Sequence, residues 1–391
     1  MGIRGIAELP LHYGKAPKWL FNRMVKLACE ILEIIYNEFG ELKIMERMTN
    51  PMWFQAFSNV LGFDWHSSGS TTVTCGVLRE ALQRVNVNLA IAGGKGKRSL
   101  ETIKDIIEIS RKFDFNSELS SKLEETSRLV AKVDNSAIQD GFTIYHHTML
   151  ISRDGKWCVI QQGMNIEIKY ARRYHWFSEN VRDIVEEPHT AISCPVKVRE
   201  VLNLTAKESA NSRNVIVDLV NENPSKIKRY IGEVNRIVSG NKSLDSWIKP
   251  KNYEEIIIKD SYIFYKPIDE GRINWKKLNE VYNVGIEDFK ELLLQRGIGR
   301  STLRALALIS ELIYNEPSSK RDPVTHIYDP IKWSYAIGGK DGVPYPISKK
   351  HYDNIIFELK SVVEAIKKNE KEKLRVFRNL KKISEKWGVE E

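Results

Sequence analysis

Polar side chains that could carry chemistry crowd a stretch of 50 residues between Asp140 and His189. Histidine rings titrate near neutral pH and serve as acids, bases or metal ligands, so His147 is a catalytic candidate together with Asp140. Amide, guanidinium and aromatic groups can hold and read a base that has been flipped out of a duplex. The candidate base-pocket residues are Tyr145, His146, Gln161, Gln162, Asn165, Arg172, Arg173, His175 and Trp176.

Two other interpretations use the same residues. A metal-dependent nuclease would employ Asp140 and the nearby histidines, but Gln161 and Gln162 stand where a restriction-type nuclease has its acid and lysine. No closely spaced histidine pair of the kind that binds zinc is found here. Alternatively, the histidines belong to a structural sheet in which backbone groups satisfy them. We therefore predict neither a metal nor a cofactor.

Two strands are expected to position this cluster. Residues 142–152 are rich in β-branched and aromatic side chains, residues 153–156 (Arg-Asp-Gly-Lys) supply a turn, and residues 157–162 form the partner strand. Because side chains alternate along a strand, His146 and His147 should point to opposite faces. At most one of them then joins a given site, unless a bulge interrupts the strand.

A glycine-rich turn between two short helices is the sharpest local signal. The pattern predicts one helix over residues 285–296, a tight turn at Gly297-Ile298-Gly299 and a second helix over residues 300–315. The N–H groups that open such a helix bind phosphate without sequence preference, and Arg300 adds positive charge there. We expect Gly297, Gly299 and Arg300 to contact a DNA backbone.

The Gly-Ile-Gly-Arg-Ser-Thr run resembles the helix-hairpin-helix element of a DNA glycosylase superfamily, in which a catalytic Asp follows within a Val-Asp-Thr-His string. Here residues 321–326 read Arg-Asp-Pro-Val-Thr-His. The resemblance implies that Asp322 is the catalytic carboxylate and Thr302 the hairpin threonine. Ser301 replaces the Schiff-base lysine of bifunctional members, which argues against a lyase reaction. The string departs from the family pattern, and Asp322 could instead be a turn residue before Pro323.

Over nearly its full length the chain resembles an uncharacterised family of archaeal and bacterial proteins. The resemblance is carried by residues 5–15, 145–147, 161–165, 171–176 and 338–342. It implies removal of a modified cytosine, such as N(4)-methylcytosine, from DNA. Asp341, in the last of these stretches, is a rival catalytic carboxylate if its loop packs near Asp322.

Two further loops carry polar residues. Lys95, Lys97 and Arg98 lie in a glycine loop that suits phosphate contact, although a purely solubilising role fits equally well. Residues 64–70 (Asp-Trp-His-Ser-Ser-Gly-Ser) could hold a catalytic pair or cap a helix that starts near Val77. We favour the cap.

These motifs fall into three regions of an α+β protein that is mostly helical. Residues 1–138 form a helical region with apolar periodicity over 19–39, 101–113 and 117–133. Residues 139–204 form a small antiparallel sheet region in the middle. Residues 205–391 form a helical domain with the helix-hairpin-helix at 285–315. Its other predicted elements are a strand at 254–265 and a charged final helix at 352–387.

Composition limits the class of partner. The chain of 391 residues carries 60 Lys and Arg against 51 Asp and Glu, a net charge of +9, which favours a polyanionic partner. Its 4 cysteines are scattered without a C-x-x-C pair, so neither a disulfide framework nor a thiolate zinc site is expected. No apolar signal core or membrane-spanning stretch is found. The charged fraction of 28%, together with few glutamines, hints at the composition of a thermophile, and we expect a cytoplasmic protein.

The sequence thus predicts a DNA-repair enzyme, a monofunctional DNA glycosylase acting on a modified base in double-stranded DNA. It would flip the base and hydrolyse the glycosidic bond with carboxylate assistance. The alternatives are a metal-dependent endonuclease that uses Asp140 and the histidines, and a non-catalytic DNA-binding repair subunit.

Overall fold

The computed structural model describes residues 16–62, 69–240 and 266–327, together with Asp353, Ile356 and Phe357. Within these residues the fold is α+β. Five antiparallel strands form the central sheet in the order β1-β3-β4-β5-β6. They are β1 (Leu89–Lys95), β3 (Thr143–Ser152), β4 (Trp157–Asn165), β5 (Tyr170–Phe177) and β6 (Ala191–Ser193). A second, two-stranded sheet pairs β2 (Ile138–Gln139) with β7 (Leu202–Asn203).

Four N-terminal helices cover one face of the central sheet. They are α1 (Lys18–Phe39), α2 (Glu41–Thr49), α3 (Pro51–Val60) and α4 (Gly69–Leu82). Their apolar side chains form one core with Leu150 of β3 and Ile160 of β4. Pro51 opens α3, and the side chain of Asn50 accepts hydrogen bonds from the first N–H groups of that helix, which is why the chain can turn sharply between α2 and α3.

The opposite face of the sheet packs against a larger core. Met149, Val159 and Trp176 point into it, one residue along from the side chains that face α1–α4, as strand alternation requires. The helices on this side are α5 (Lys97–Leu100), α6 (Thr102–Phe113) and α7 (Ser117–Lys132). A short π-helix, Val133–Ala137, continues α7 and leads directly into β2.

The remaining helices share this second core. They are α8 (Ala210–Val220), α9 (Pro224–Gly240), α10 (Trp275–Val284), α11 (Phe289–Leu294) and α12 (Arg300–Tyr314). Two short 3-10 helices, Lys207–Ser209 and Glu270–Arg272, precede α8 and α10. The apolar stripe of α12 is almost entirely buried, so this helix is the centre of the C-terminal layer. Across the described parts of the chain, no helix combines the length and the apolar character needed to cross a bilayer.

Several elements agree closely with the sequence predictions. The helices predicted at 19–39, 101–113 and 117–133 are α1, α6 and α7, and the predicted hairpin is β3 and β4 joined by a turn at residues 153–156. Gly155 has a φ of +82°, which an L side chain rarely adopts, so glycine suits this turn. The helix predicted after the glycine turn at 297–299 is α12.

Other predictions were wrong in detail. The strand β1 was missed, and the basic loop predicted at 93–98 is instead the end of β1 followed by α5. The helix expected near Val77 begins eight residues earlier, at Gly69, and the helix predicted over 285–296 is shorter, at Phe289–Leu294. Residues 254–265 lie outside the described residues, and so does nearly all of the final helix predicted at 352–387.

Candidate functional site

A buried guanidinium joins two of the predicted catalytic carboxylates. Arg172 on β5 donates two hydrogen bonds to Asp322, at 3.0 and 2.7 Å, and a third to Asp140 at 2.7 Å. The side chains of Arg172 and Asp140 are 0% exposed and that of Asp322 is 3% exposed. Sequence separations of 32 and 150 residues are therefore bridged by one side chain of the sheet.

Every oxygen of these two carboxylates is used. Asp322 also accepts the backbone N–H groups of Val198, at 2.6 Å, and Val324, at 3.0 Å. Asp140 also accepts the backbone N–H of Phe142 and the hydroxyl of Tyr174. So many donors keep both carboxylates in place. Arg172 also lies over the ring of Phe142, 4.5 Å from its centroid.

The carboxylates of this cluster change the pKa values of Arg172 and Tyr174. Burial alone lowers the pKa of Arg172, but the charges of Asp322 and Asp140 more than offset burial and raise that pKa well above its usual value. Burial and the charge of Asp140 raise the pKa of Tyr174, which therefore stays a protonated donor. One guanidinium between two carboxylates leaves the cluster with a net negative charge. Asp341, the third candidate carboxylate, lies outside the described residues.

A second polar group lies on the same face of the sheet, under α7. Ser127 and Gln161 contact the two ring nitrogens of His147, with Ser127 Oγ 2.9 Å from Nε2 and Gln161 Oε1 2.8 Å from Nδ1. The amide nitrogen of Gln161 donates to Asp134, which also accepts from Trp176 and His189.

The donor and the acceptor of each hydrogen bond in this group can be assigned by starting from Asp134, whose carboxylate accepts. Gln161 uses its amide nitrogen on Asp134, so its oxygen must accept a hydrogen bond from the N–H of His147 Nδ1. The other ring nitrogen then accepts from the hydroxyl of Ser127. Burial lowers the pKa of His147, in keeping with this neutral tautomer. Asp134 belongs to the π-helix, a rare conformation that is frequent at functional sites.

A third polar group lies on the opposite face, between the sheet and α3–α4. The Thr71 hydroxyl donates to the oxygen of Gln162 and accepts from the guanidinium of Arg173, and the Gln162 amide nitrogen donates to the hydroxyl of Tyr145. Arg173 stacks 4.5 Å from the ring centroid of Phe54. The pairing of β3 with β4 shifts register at Tyr145, so that Tyr145 and His146 both lie beside Gln162.

Two histidines of this third group have unsatisfied ring nitrogens. His146 Nε2 is 2.9 Å from the Thr148 hydroxyl and His175 Nδ1 is 3.2 Å from the Met48 carbonyl oxygen. Their other nitrogens, His146 Nδ1 and His175 Nε2, have no hydrogen-bond partner among the described residues. Burial and nearby positive charge lower the pKa of His146 to about 3 and that of His175 well below its usual value. Buried polar atoms without partners cost free energy. A ligand that formed hydrogen bonds to these two nitrogens would therefore gain binding free energy.

The turn between α11 and α12 is held by residues that flank the π-helix. Lys132 Nζ donates to the carbonyl oxygen of Ile298 at 2.5 Å, and Gln139 donates to that of Arg300 at 2.8 Å. Gly297 has a φ of +102°, and a Cβ there would lie 2.9 Å from the amide nitrogen of Asn274. Only glycine fits this position without strain.

A basic cleft of about 500 Å³ opens beside this turn. Four cationic side chains line it, namely Lys266, Arg272, Arg300 and Arg304, together with the carboxylates of Glu167 and Asp269. Burial and the charge of Arg272 lower the pKa of Arg304, as expected where cations are gathered. Ser301 lines the cleft, whereas the neighbouring Thr302 is buried.

Lys95, Lys97 and Arg98, which were also predicted to contact DNA, do not line this cleft. Lys95 and Lys97 are exposed at the end of β1 and the start of α5. Arg98 is paired with Asp105 and Glu101 beside a smaller cleft of about 300 Å³. Asp105 also accepts the backbone N–H of Gly93 and a hydrogen bond from Arg79, so this loop is held by ion pairs.

The structure divides the predicted base-pocket residues into two groups on opposite faces of the sheet. Tyr145, His146, Gln162, Arg173 and His175 belong to the group beneath α3–α4, and His146 and His147 point to opposite faces as predicted. Gln161, Arg172 and Trp176 belong to the other face. Asn165 contributes to neither, because its side chain caps the turn between β4 and β5.

Sequence reasoning missed three polar residues that the structure brings into these groups. Thr71 belongs to a run of small polar residues at the start of α4, and such a run is typical of a loop. Ser127 and Asp134 lie within a helical pattern, where polar residues are expected on the exposed side. Only their burial identifies them. No group of three or more His, Cys, Asp or Glu side chains that could hold a metal ion occurs among the residues that the structure describes.

Most of the chain is similar to one protein family. The model of a family described as "Protein of unknown function (DUF763)" matches residues 5–347. No curated protein and no solved structure matches the chain.

Proposed function

Because residues 5–347 match its model, the chain belongs to the DUF763 family of proteins of unknown function, and we propose that it is a DNA-repair enzyme, a monofunctional DNA glycosylase that removes a modified base. The observation that carries this proposal is the basic cleft beside the glycine turn at the start of α12. The proposal has three parts: a grip on the DNA backbone, a pocket for the base and a carboxylate for the chemistry.

The grip is supported by the charge and shape of the cleft. Arg300, Arg304 and Arg272 line it, and the N-terminal N–H groups of α12 open beside it. No side chain caps this helix end, because its N-cap residue is Gly299. Helix N-termini and arginine side chains both bind phosphate oxygens. In this proposal α11, the turn and α12 form the helix-hairpin-helix that holds the DNA backbone.

The pocket for the base is the polar group beneath α3–α4. Arg300 lies 3.3 Å from the hydroxyl of Thr143, at the first residue of β3. His146 is three residues further along the strand, a distance of about 10 Å at the usual rise of a strand. His146, which carries one unsatisfied ring nitrogen, therefore lies in the half of β3 nearer the cleft, whereas His175, which carries the other, is level with Thr148 and lies nearer the middle of the sheet. A base carries donors and acceptors that could satisfy these two nitrogens, and Tyr145 offers a ring for stacking.

The carboxylate is Asp140, which lies just before β3 and on the face of the sheet opposite that pocket. Its neighbours Gln139 and Gly141 both line the cleft, so the buried side chain of Asp140 lies directly behind the cleft wall. Its cluster keeps a net negative charge, which is the sign that stabilises a sugar with oxocarbenium character. In this proposal Asp322 is a positioning residue, since it holds Arg172, which in turn holds Asp140.

The decisive experiment is an assay of base release. End-labelled duplexes carrying modified or deaminated bases, N(4)-methylcytosine among them, are incubated with the protein in EDTA and then treated with hot alkali. The proposal predicts strand breaks only after alkali. It also predicts that Asp140→Asn loses most of this activity while keeping its DNA affinity, whereas Asp218→Asn on the exposed side of α8 behaves as wild type.

Other outcomes would replace the proposal. Breaks that require magnesium or manganese and no alkali would identify a metal-dependent nuclease. DNA binding without product on any base would identify a non-catalytic DNA-binding subunit, an alternative favoured by the full pairing of Asp140 and Asp322 with Arg172.

A further inference from the structure

An apolar side chain projects from the tip of the hairpin formed by β4 and β5. Ile166 is the first residue after β4 and is 76% exposed. The residue two positions later, Ile168, packs against the large core instead. Exposure of a large aliphatic side chain gives up the free energy that burial would provide.

The tip is held in one conformation by its own side chains. Asn165 Oδ1 accepts the backbone N–H groups of Glu167, at 3.0 Å, and Ile168, at 3.2 Å. Gly141, whose φ is +86°, packs behind the tip, where a Cβ would lie 2.8 Å from the amide nitrogen of Asn165. Ile166 is therefore presented on a preformed turn.

The tip stands at the edge of the basic cleft. Glu167, the residue next to Ile166, lines that cleft together with Arg300 and Arg304. Among the residues that the structure describes, two other aliphatic side chains are even more exposed, Leu100 at 83% and Val284 at 79%, but neither lines the cleft or adjoins a residue that does. Position beside the cationic surface is what distinguishes Ile166.

We propose that Ile166 inserts between stacked base pairs of the DNA bound in this cleft and helps to push the target base out of the duplex. The inference rests on the proposed function, because it requires duplex DNA in the cleft. Proteins that bend or open DNA use isoleucine and similar side chains in this way, and the larger protein surface that the deformed DNA covers offsets the cost of unstacking. A preformed tip loses little conformational entropy on insertion.

The test uses a duplex with 2-aminopurine beside the modified base, since the fluorescence of 2-aminopurine rises when its stacking is lost. Wild-type protein should raise the signal, and Ile166→Ala should lower that rise at saturating protein at least about fivefold. Ile166→Leu should keep most of it. Leu100→Ala is the matched control, because it removes a similarly exposed aliphatic side chain away from the cleft.

A second readout separates insertion from a structural effect. The cost of unpairing is lower for a mismatched base, so Ile166→Ala should release a mismatched target at close to the wild-type rate while slowing on the paired one about tenfold. Equal fluorescence from wild type and Ile166→Ala would overturn the role of Ile166 and leave the glycosylase proposal standing. Failure of the wild type to bind duplex DNA would overturn both.

Discussion

Arg172 and Asp322 are joined by two parallel hydrogen bonds of 3.0 and 2.7 Å, although 150 residues separate them along the chain. Through this pair the central sheet holds the segment that follows α12. The same guanidinium holds Asp140, so a single side chain fixes the relation between the sheet, the wall of the basic cleft and the C-terminal layer.

Removal of one carboxylate from the cluster of Arg172, Asp140 and Asp322 should lower the stability of the fold. We expect Asp322→Asn to lower the free energy of unfolding by about 3 kcal/mol, because it weakens a buried ion pair and leaves Arg172 undercompensated. Urea denaturation followed by circular dichroism measures the change. Asp218→Asn, an exposed helical position, should shift it by less than about 0.5 kcal/mol. Equal effects of the two substitutions would show that the buried pair contributes little.

The buried histidines should make stability depend on pH. The pKa of His146 in the folded protein is lowered to about 3, against 6.5 for an unburied histidine. The unfolded chain therefore binds the proton more tightly, and stability falls as pH decreases from about 6.5 towards 3, by up to about 1.4 kcal/mol per pH unit for this residue.

Urea midpoints of wild type and His146→Gln at pH 7, 6 and 5 measure this contribution. The variant should be less stable at pH 7 because it loses the contact with Thr148, but it should lose less stability between pH 7 and pH 5. His326→Gln, which alters a partly exposed histidine, is the control. Parallel pH curves for wild type and His146→Gln would contradict the prediction.

The two glycines of the turn before α12 should respond differently to alanine. Gly297→Ala places a Cβ at a φ of +102°, against Asn274, and we expect a loss of about 1–3 kcal/mol in unfolding free energy. Gly299 has a φ of −132°, and a Cβ at this position would have no neighbouring atom within 4 Å among the described residues. Gly299→Ala should therefore fold as stably as wild type.

The same pair also tests the DNA contact. If backbone phosphates approach this turn closely, Gly299→Ala should weaken DNA binding although its stability is unchanged. Fluorescence anisotropy with a labelled duplex provides the measurement. Wild-type affinity in Gly299→Ala would place the DNA elsewhere.

Arg300 should contribute a phosphate contact. Its side chain makes only long hydrogen bonds within the described protein, at 3.4 Å to the Phe142 carbonyl oxygen and 3.3 Å to the Thr143 hydroxyl. We expect Arg300→Gln to weaken binding uniformly across DNA sequences and to reduce the slope of log affinity against log salt by about 1. Arg229→Gln on α9, which removes an exposed arginine paired with Glu233, should leave the slope unchanged.

Much of the secondary structure could be predicted from the sequence because it depends on local patterns. Apolar residues at helical spacing marked α1, α6 and α7 to within two residues at each end, and β-branched residues around a glycine turn marked β3 and β4. The strand β1 was not predicted because its sequence, Leu-Ala-Ile-Ala-Gly-Gly-Lys, alternates too weakly between apolar and polar residues and is rich in small residues. Its pairing with β3 is a long-range interaction that no local pattern contains.

The sequence by itself determined which residue types are available for a site and which of them alternate across the sheet, since a strand has a fixed period of two. Only the tertiary structure decided which of these side chains meet. Strand order and helix packing brought Arg172 to two distant carboxylates, placed Thr71 between Gln162 and Arg173, and separated Gln161 from Gln162 by the thickness of the sheet. Such contacts are set by the burial of whole layers, in which each polar group must find a partner, and that requirement cannot be read from neighbours in the chain.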